Sequence, residues 1–201
     1  MPTALPWWRI AAPLLVFALL ALLCWLRPLP LLRIILLTSV GMIAYASCQD
    51  QVSARLAPEY FTIGHPPIPG LNDPTLLGLA WGFLGGFPGG IMLGIPVALF
   101  ARFGRLPPLD ARQLIQPLLI FLAGVAIMTL VAGLSSWYNA EVVNIAIGAP
   151  WDTLVPPEHH RRFFIVACAH FGTYLGGVVL GMALCGWIVQ QRRRLARTAR
   201  R

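Results

Sequence analysis

The chain has 201 residues, of which 58% are hydrophobic and only 11% charged, against ~25% charged in soluble domains. Such a chain has too little polar surface to face water, so a soluble globular protein is excluded. The net charge of +8 comes from Arg alone, with six Arg after Val189 and no aromatic residues among them, so the excess reads as a topology signal that also meets anionic lipid, not as a nucleic-acid surface.

The first apolar run is Ile10–Leu26, bounded by Arg9 and Arg27. A single Arg ahead of it, no small-residue cleavage site and the exit Trp25-Leu26-Arg27-Pro28 argue against a signal peptide. It is read as a retained helix; were it cleaved, four crossings would remain. Arg27-Pro28-Leu29-Pro30 turns the chain, because proline denies a helix its donors and biases its neighbour to extended geometry. The second run, Leu31–Cys48, begins beside Arg33, which can snorkel to the headgroups. Helix can continue to Ala57, where Pro58 stops it. The segment 49–75 is a polar island with a stiff, proline-rich end, His65-Pro66-Pro67-Ile68-Pro69-Gly70, and reads as an ordered loop cap.

The third run is Leu76–Ala101. Gly78, Gly82, Gly86, Gly90 and Gly94 recur every four residues, with Ala98 continuing the row. Residues four apart stack on one helix face, so the row is a groove into which another backbone can come close. Pro88 and Pro96 predict kinks. After a short loop with Arg102, Arg105 and Arg112 comes the fourth run, Gln113–Leu134, followed by Trp137 and Tyr138, a pair suited to the membrane interface. Residues 135–156 read as a second outer loop. Within it, 144–147 stays open between a helical extension and an interfacial piece. Pro157 and Glu158 open the last helix, 157–190. Its GxxxG pairs, Gly172/Gly176 and Gly177/Gly181, make it the expected partner of the third run's groove. A basic tail, 191–201, closes the chain.

These runs predict an all-α polytopic membrane bundle, a single domain of five (alternatively four) transmembrane helices with an ordered extracytoplasmic cap. Lipid leaves helices as the way to satisfy backbone polar groups. With the tail inside, eleven Arg fall on the cytoplasmic side and four (Arg9, Arg55, Arg161, Arg162) outside, the bias expected of a cytoplasmic C-terminus. The same topology sends Asp50, Glu59, Asp73, Glu141, Asp152 and Glu158 outside and leaves only Asp110 inside. His65, His159 and His160 follow the acids outside, and His170 lies in the outer half of the membrane. Cys48 and Cys168 come near the same surface; a disulfide between them is one reading and free thiols the other.

Two segments carry a resemblance. One is Asp50-Gln51-Val52-Ser53-Ala54-Arg55 with Pro58-Glu59-Tyr60-Phe61-Thr62-Ile63-Gly64-His65-Pro66. The other is Arg162-Phe163 with Ala169-His170 and Thr173-Tyr174. Together they resemble a family of uncharacterised bacterial multi-pass membrane proteins. The resemblance implies a helical membrane protein of the bacterial inner membrane with the two segments near one another, and it implies no activity, substrate or cofactor. A composition rich in Ala, Leu, Gly, Pro and Arg without Lys fits a GC-rich genome.

The polar cluster admits three chemistries. A divalent transition metal could take ligands from His65, His159, His160 and His170 with Glu59, Glu158 or Asp50. His160 and His170 stand ~15 Å apart along a straight helix, so His65 would have to fold onto one of them. Acid–base catalysis would use Glu59 with His65, or His170 with Tyr174 one turn on, making Glu59, His170 and Tyr174 the catalytic candidates. Ser53, Thr62 and Thr173 are nucleophiles by type only. A structural network would pair Asp50 or Glu59 with Arg55 or Arg162 and fasten the cap to the helix ends. The favoured function is structural or partner-binding, with a membrane protein or a second copy as partner. An enzyme and a small-solute transporter are the alternatives, the latter without the internal repeats common to transporters.

Overall fold

In a computed structural model the described residues are 4–27, 29–142 and 147–199. Pro28, Asn144, Arg200, Arg201 and the side chain of Glu141 lie outside them, and so does nearly all of the ambiguous stretch 144–147. The described chain is a helical bundle: α1 (Trp8–Leu26), α2 (Pro30–Leu56), α3 (Glu59–Thr62), α4 (Pro74–Arg102), α5 (Ala111–Val142), α6 (Trp151–Leu154) and α7 (His160–Thr198). A 3-10 turn, Pro157–His159, leads into α7. Five of the helices, α1, α2, α4, α5 and α7, are long and apolar enough to cross a membrane.

The helix ends follow local chemistry. α2 runs to Leu56, just ahead of the Pro58 stop. α4 starts where the Asp73 carboxylate accepts from the Leu76 amide at 2.9 Å, with Pro74 in the first turn. α5 passes Leu134 and continues to Val142, so the outer loop expected at 135–156 is in part helix. No Gly or Pro intervenes between Gly133 and Gly148 to stop it. The basic tail is helical to Thr198 for the same reason, since Arg, Ala and Gln propagate a helix well.

The glycine row packs against α2, and the expectation that α7 fills the groove is corrected. A Cβ on Gly82 would strike the Ser47 backbone; on Gly86, that of Ile43; on Gly90, that of Ser39. Each step of four along α4 meets a step of four back along α2, an antiparallel register of touching backbones. Ser39 and Ser47 are small enough to allow it. The segment joining the two helices folds over one end of the pair. α7 instead packs its Gly172/Gly176 pair on α5, against Ala132, Met128 and Val125. α1 is peripheral, with Phe17 set edge-on to Phe83 and Phe87 at 5.8 and 5.5 Å. Leu5 donates its amide to the Pro67 carbonyl of the cap at 2.9 Å.

Polar bonds tie the two helix pairs together. The Thr173 hydroxyl donates to Gln49 Oε1 at 2.7 Å and lies 2.7 Å from the Thr129 hydroxyl, which lies 2.6 Å from the Tyr45 phenol. α2, α5 and α7 thus share one hydroxyl chain. Thr173→Val keeps the shape and removes the central link. Interhelical bonds of this kind contribute about 0.6–2 kcal/mol in membranes, so thermal unfolding in detergent should shift down by a few degrees. Thr173→Ser, which keeps the hydroxyl, should not shift it.

The cap is fastened by Glu59. Arg162 donates to Glu59 Oε1 at 2.8 Å, and His159 Nδ1 lies 2.7 Å from the same oxygen, off-axis for a hydrogen bond. Arg55 takes no part; it bonds Gln51 and Thr75 at 2.8 Å. Glu59→Gln keeps the shape but leaves Arg162 opposite a neutral amide in a half-buried place. It should destabilise the protein by about 1–3 kcal/mol, read as faster proteolysis of the segment 57–73 before global unfolding. Unchanged cleavage there would show that the pair does not hold the cap. Of the two readings of the cysteines, the structure has the free thiols, with Cys48 on an exposed face of α2 and Cys168 turned toward Ser136 of α5.

Candidate functional site

A cavity of about 770 Å³ lies between α4 and α7, with α2 behind it. It reaches from Trp81 near the cap to Phe100 near the far end of α4, nineteen residues or roughly 28 Å of helix rise. That is close to the thickness of the hydrocarbon layer. Glycines make the room. Gly85, Gly177 and Gly186 line the cavity, and a Cβ on any of them would meet no atom within 4 Å. The second glycine row of α7 therefore does face α4, with the slot between them over much of its length; at Gly181 the gap closes onto Leu93.

The cavity is apolar along its length and polar at its cap end, where Asp50, His65, His170 and Tyr174 converge with Phe61 and Trp81. The topology explains the gathering. α2 brings Asp50 up to the end of its apolar stretch, α7 carries His170 two turns below Phe163, and the cap folds His65 back over both. His170 Nε2 lies 3.2 Å from the Ser53 hydroxyl and 3.5 Å from Asp50 Oδ1. Tyr60 sits between the two imidazoles, 4.5 Å from His170 and 4.8 Å from His65, ring centre to ring centre. His65 in turn packs on Trp81 at 4.7 Å.

His65 donates Nδ1–H to the Tyr60 carbonyl at 2.8 Å, which leaves Nε2 as an acceptor in the neutral ring. Burial lowers its pKa below the ordinary imidazole value, with the carbonyl acting weakly the other way. Burial raises the Tyr60 phenol well above its usual range, aided by the nearby Tyr174 and Asp50. Both groups are therefore uncharged at neutral pH.

The sequence-derived candidates part company here. His65, His170 and Tyr174 line the cavity, but Glu59 belongs to the cap fastening, His159 turns to Glu59, and His160 Nε2 bonds the Val155 carbonyl at 2.8 Å. Among the described residues no three His, Cys, Asp or Glu side chains gather as metal ligands do, so the donor set does not fit a transition metal. The expected proton-sharing pairs are also corrected. His170 and Tyr174 have ring centres 6.5 Å apart without a hydrogen bond, and Glu59 faces Arg162 instead of His65. Ser53 and Asp50 meet the same imidazole nitrogen, whereas a relay to a nucleophile needs one partner on each. Ser53 is buried and does not line the cavity. Trp81 and the slot-lining Gly85 carry no signal of a site in the sequence, although Gly85 and Gly89 form a GxxxG step of their own beside the main row. Comparison with family models, curated proteins and solved structures finds no match.

Proposed function

We propose that this protein is a bacterial inner-membrane binding protein that holds one apolar-tailed molecule in the slot between α4 and α7, with the molecule's polar head under the cap. The observation that carries the reading is the shape of the cavity, an apolar slot about a bilayer core in length with a single polar end. Small residues along both walls keep the slot open where ordinary side chains would close it. Among the described residues no nucleophile with a base of its own lines the cavity, and the reading as a binding protein rests on the shape of the slot. The arginine bias and the family resemblance support an extracytoplasmic cap and a cytoplasmic C-terminus. The reading of the cap as a structural fastening goes with this function, since Glu59 and Arg162 hold closed the segment that carries His65.

Gly177→Leu and Gly85→Leu test the slot. Both side chains would grow into open space, so the fold should survive while the slot fills. Binding of a fluorescent single-chain amphiphile to the protein in lipid nanodiscs should be saturable in the wild type and at least tenfold weaker in either variant. Equal binding by wild type and both variants would refute the slot. A phosphatase or fluorescent reporter fused to the C-terminal tail should report the cytoplasm.

A further inference from the structure

The head of the bound molecule can be named by its chemistry. From the lining of the cap end we infer that the slot selects a cationic head, an ammonium or substituted ammonium group, held by the Asp50 carboxylate in an aromatic box walled by Trp81 and Tyr174. This rests on the slot reading above and goes beyond it in specifying charge.

Three observations carry the choice. First, Asp50 is the only acid that lines the cavity, and no Arg lines it among the described residues; an anionic head would face a carboxylate with no fixed cation to offset it. Second, the Asp50 side chain is 7% exposed, and among the described residues no hydrogen bond reaches its carboxylate. His170 Nε2 lies 3.5 Å from Asp50 Oδ1 and 3.2 Å from the Ser53 hydroxyl. A carboxyl so placed keeps its charge without a large penalty only where a cation meets it. Third, Trp81 and Tyr174 come from α4 and α7 to the same end of the slot. Aromatic rings beside a carboxylate form the surroundings in which ammonium groups are bound. The other titratable groups facing this end are His65, His170 and Tyr174. With His65 uncharged, none supplies a fixed positive charge beside Asp50 that would repel the ligand or replace it.

The experiment compares three amphiphiles of one chain length, dodecyltrimethylammonium, dodecyl sulfate and dodecyl maltoside, titrated into protein in zwitterionic nanodiscs. Binding to Gly177→Leu is subtracted as membrane partition. The ammonium should bind at least tenfold more tightly than the other two. Asp50→Asn should remove that preference and leave the maltoside unchanged. Should Asp50→Asn fail to fold, Tyr174→Leu, at a position 62% exposed, takes one wall from the box and should weaken the ammonium three- to tenfold without moving the maltoside. If the sulfate or the maltoside binds as tightly as the ammonium, and Gly177→Leu abolishes both, the slot stands and the cationic head is wrong. If Gly177→Leu changes nothing for any of the three, the slot reading fails and this inference fails with it.

Discussion

Replacing Gly90 with isoleucine is expected to prevent the protein from accumulating in a folded state. A Cβ at Gly90 would sit inside the Ser39 backbone of α2, with the Thr38 carbonyl also against it at 3.1 Å. Backbone cannot rotate out of the way as a side-chain end can, so α2 and α4 would have to separate. The Thr38 hydroxyl, 3.0 Å from the Gly90 carbonyl, would lose that link between the helices and keep only the Ile34 and Ile35 carbonyls of its own helix. Overpacking a tight interior costs about 1–3 kcal/mol even where side chains can yield, and here they cannot. The loss should exceed about 3 kcal/mol, a large part of the roughly 5–15 kcal/mol that holds an ordinary domain folded. Gly85→Ile is the matched control. It lies five residues away on the same helix, its Cβ meets open space, and it should change stability by less than about 0.5 kcal/mol. Size-exclusion profiles of fluorescently tagged variants after heating would separate the two. Equal profiles would mean that α2 and α4 do not touch along the glycine row.

That pair of variants also shows what the sequence makes legible. The row Gly78 to Gly94 announces a close helix contact without announcing the partner. GxxxG pairs on α7 pointed there, and the better signal was less conspicuous: Ser39 and Ser47 on α2, small residues eight apart, two steps of the glycine row. Helix ends were legible where a breaker stands, as at Pro58, and misread where none does, as beyond Leu134. The gathering of His65 and His170 at one end followed from the arginine bias and the loop lengths. Which side chains would touch did not follow, because that depends on rotation of each helix about its axis. A turn of α7 that buries His170 beside Asp50 also leads His159 to Glu59 and His160 to the Val155 carbonyl. Adjacent histidines on a helix cannot all serve one site.

The same rotation shapes the slot. It sets Ser53 and Asp50 on one nitrogen of His170, and it turns Gly177 toward α4, which opens a slot instead of a contact.

Arg192→Met should destabilise the opposite end of the bundle by about 3–5 kcal/mol, the loss found on breaking a buried charged network. Arg192 is 3% exposed. It donates to four backbone carbonyls, Phe100, Phe103, Leu106 and Pro107, over 2.5–2.9 Å. Two of these belong to the last turn of α4 and its cap, where a helix has carbonyls without partners and its dipole favours a cation. The planar guanidinium fork can reach all four, and methionine can replace its stem but none of its donors. Lysine keeps the charge with a single donor centre and should recover only part of the loss. Arg193, next in the chain and exposed, is the control, and Arg193→Ala should move the melting temperature by no more than about 1–2 °C. If Arg192→Met and Arg193→Ala melt together, Arg192 acts only as one more positive charge of the tail. If Arg192→Met alone falls by roughly 10 °C or more, it is the clasp that joins α7 to α4 below the slot. It would then hold the two walls at a fixed separation where the core of Ile34, Val97 and Ile188 closes the bundle.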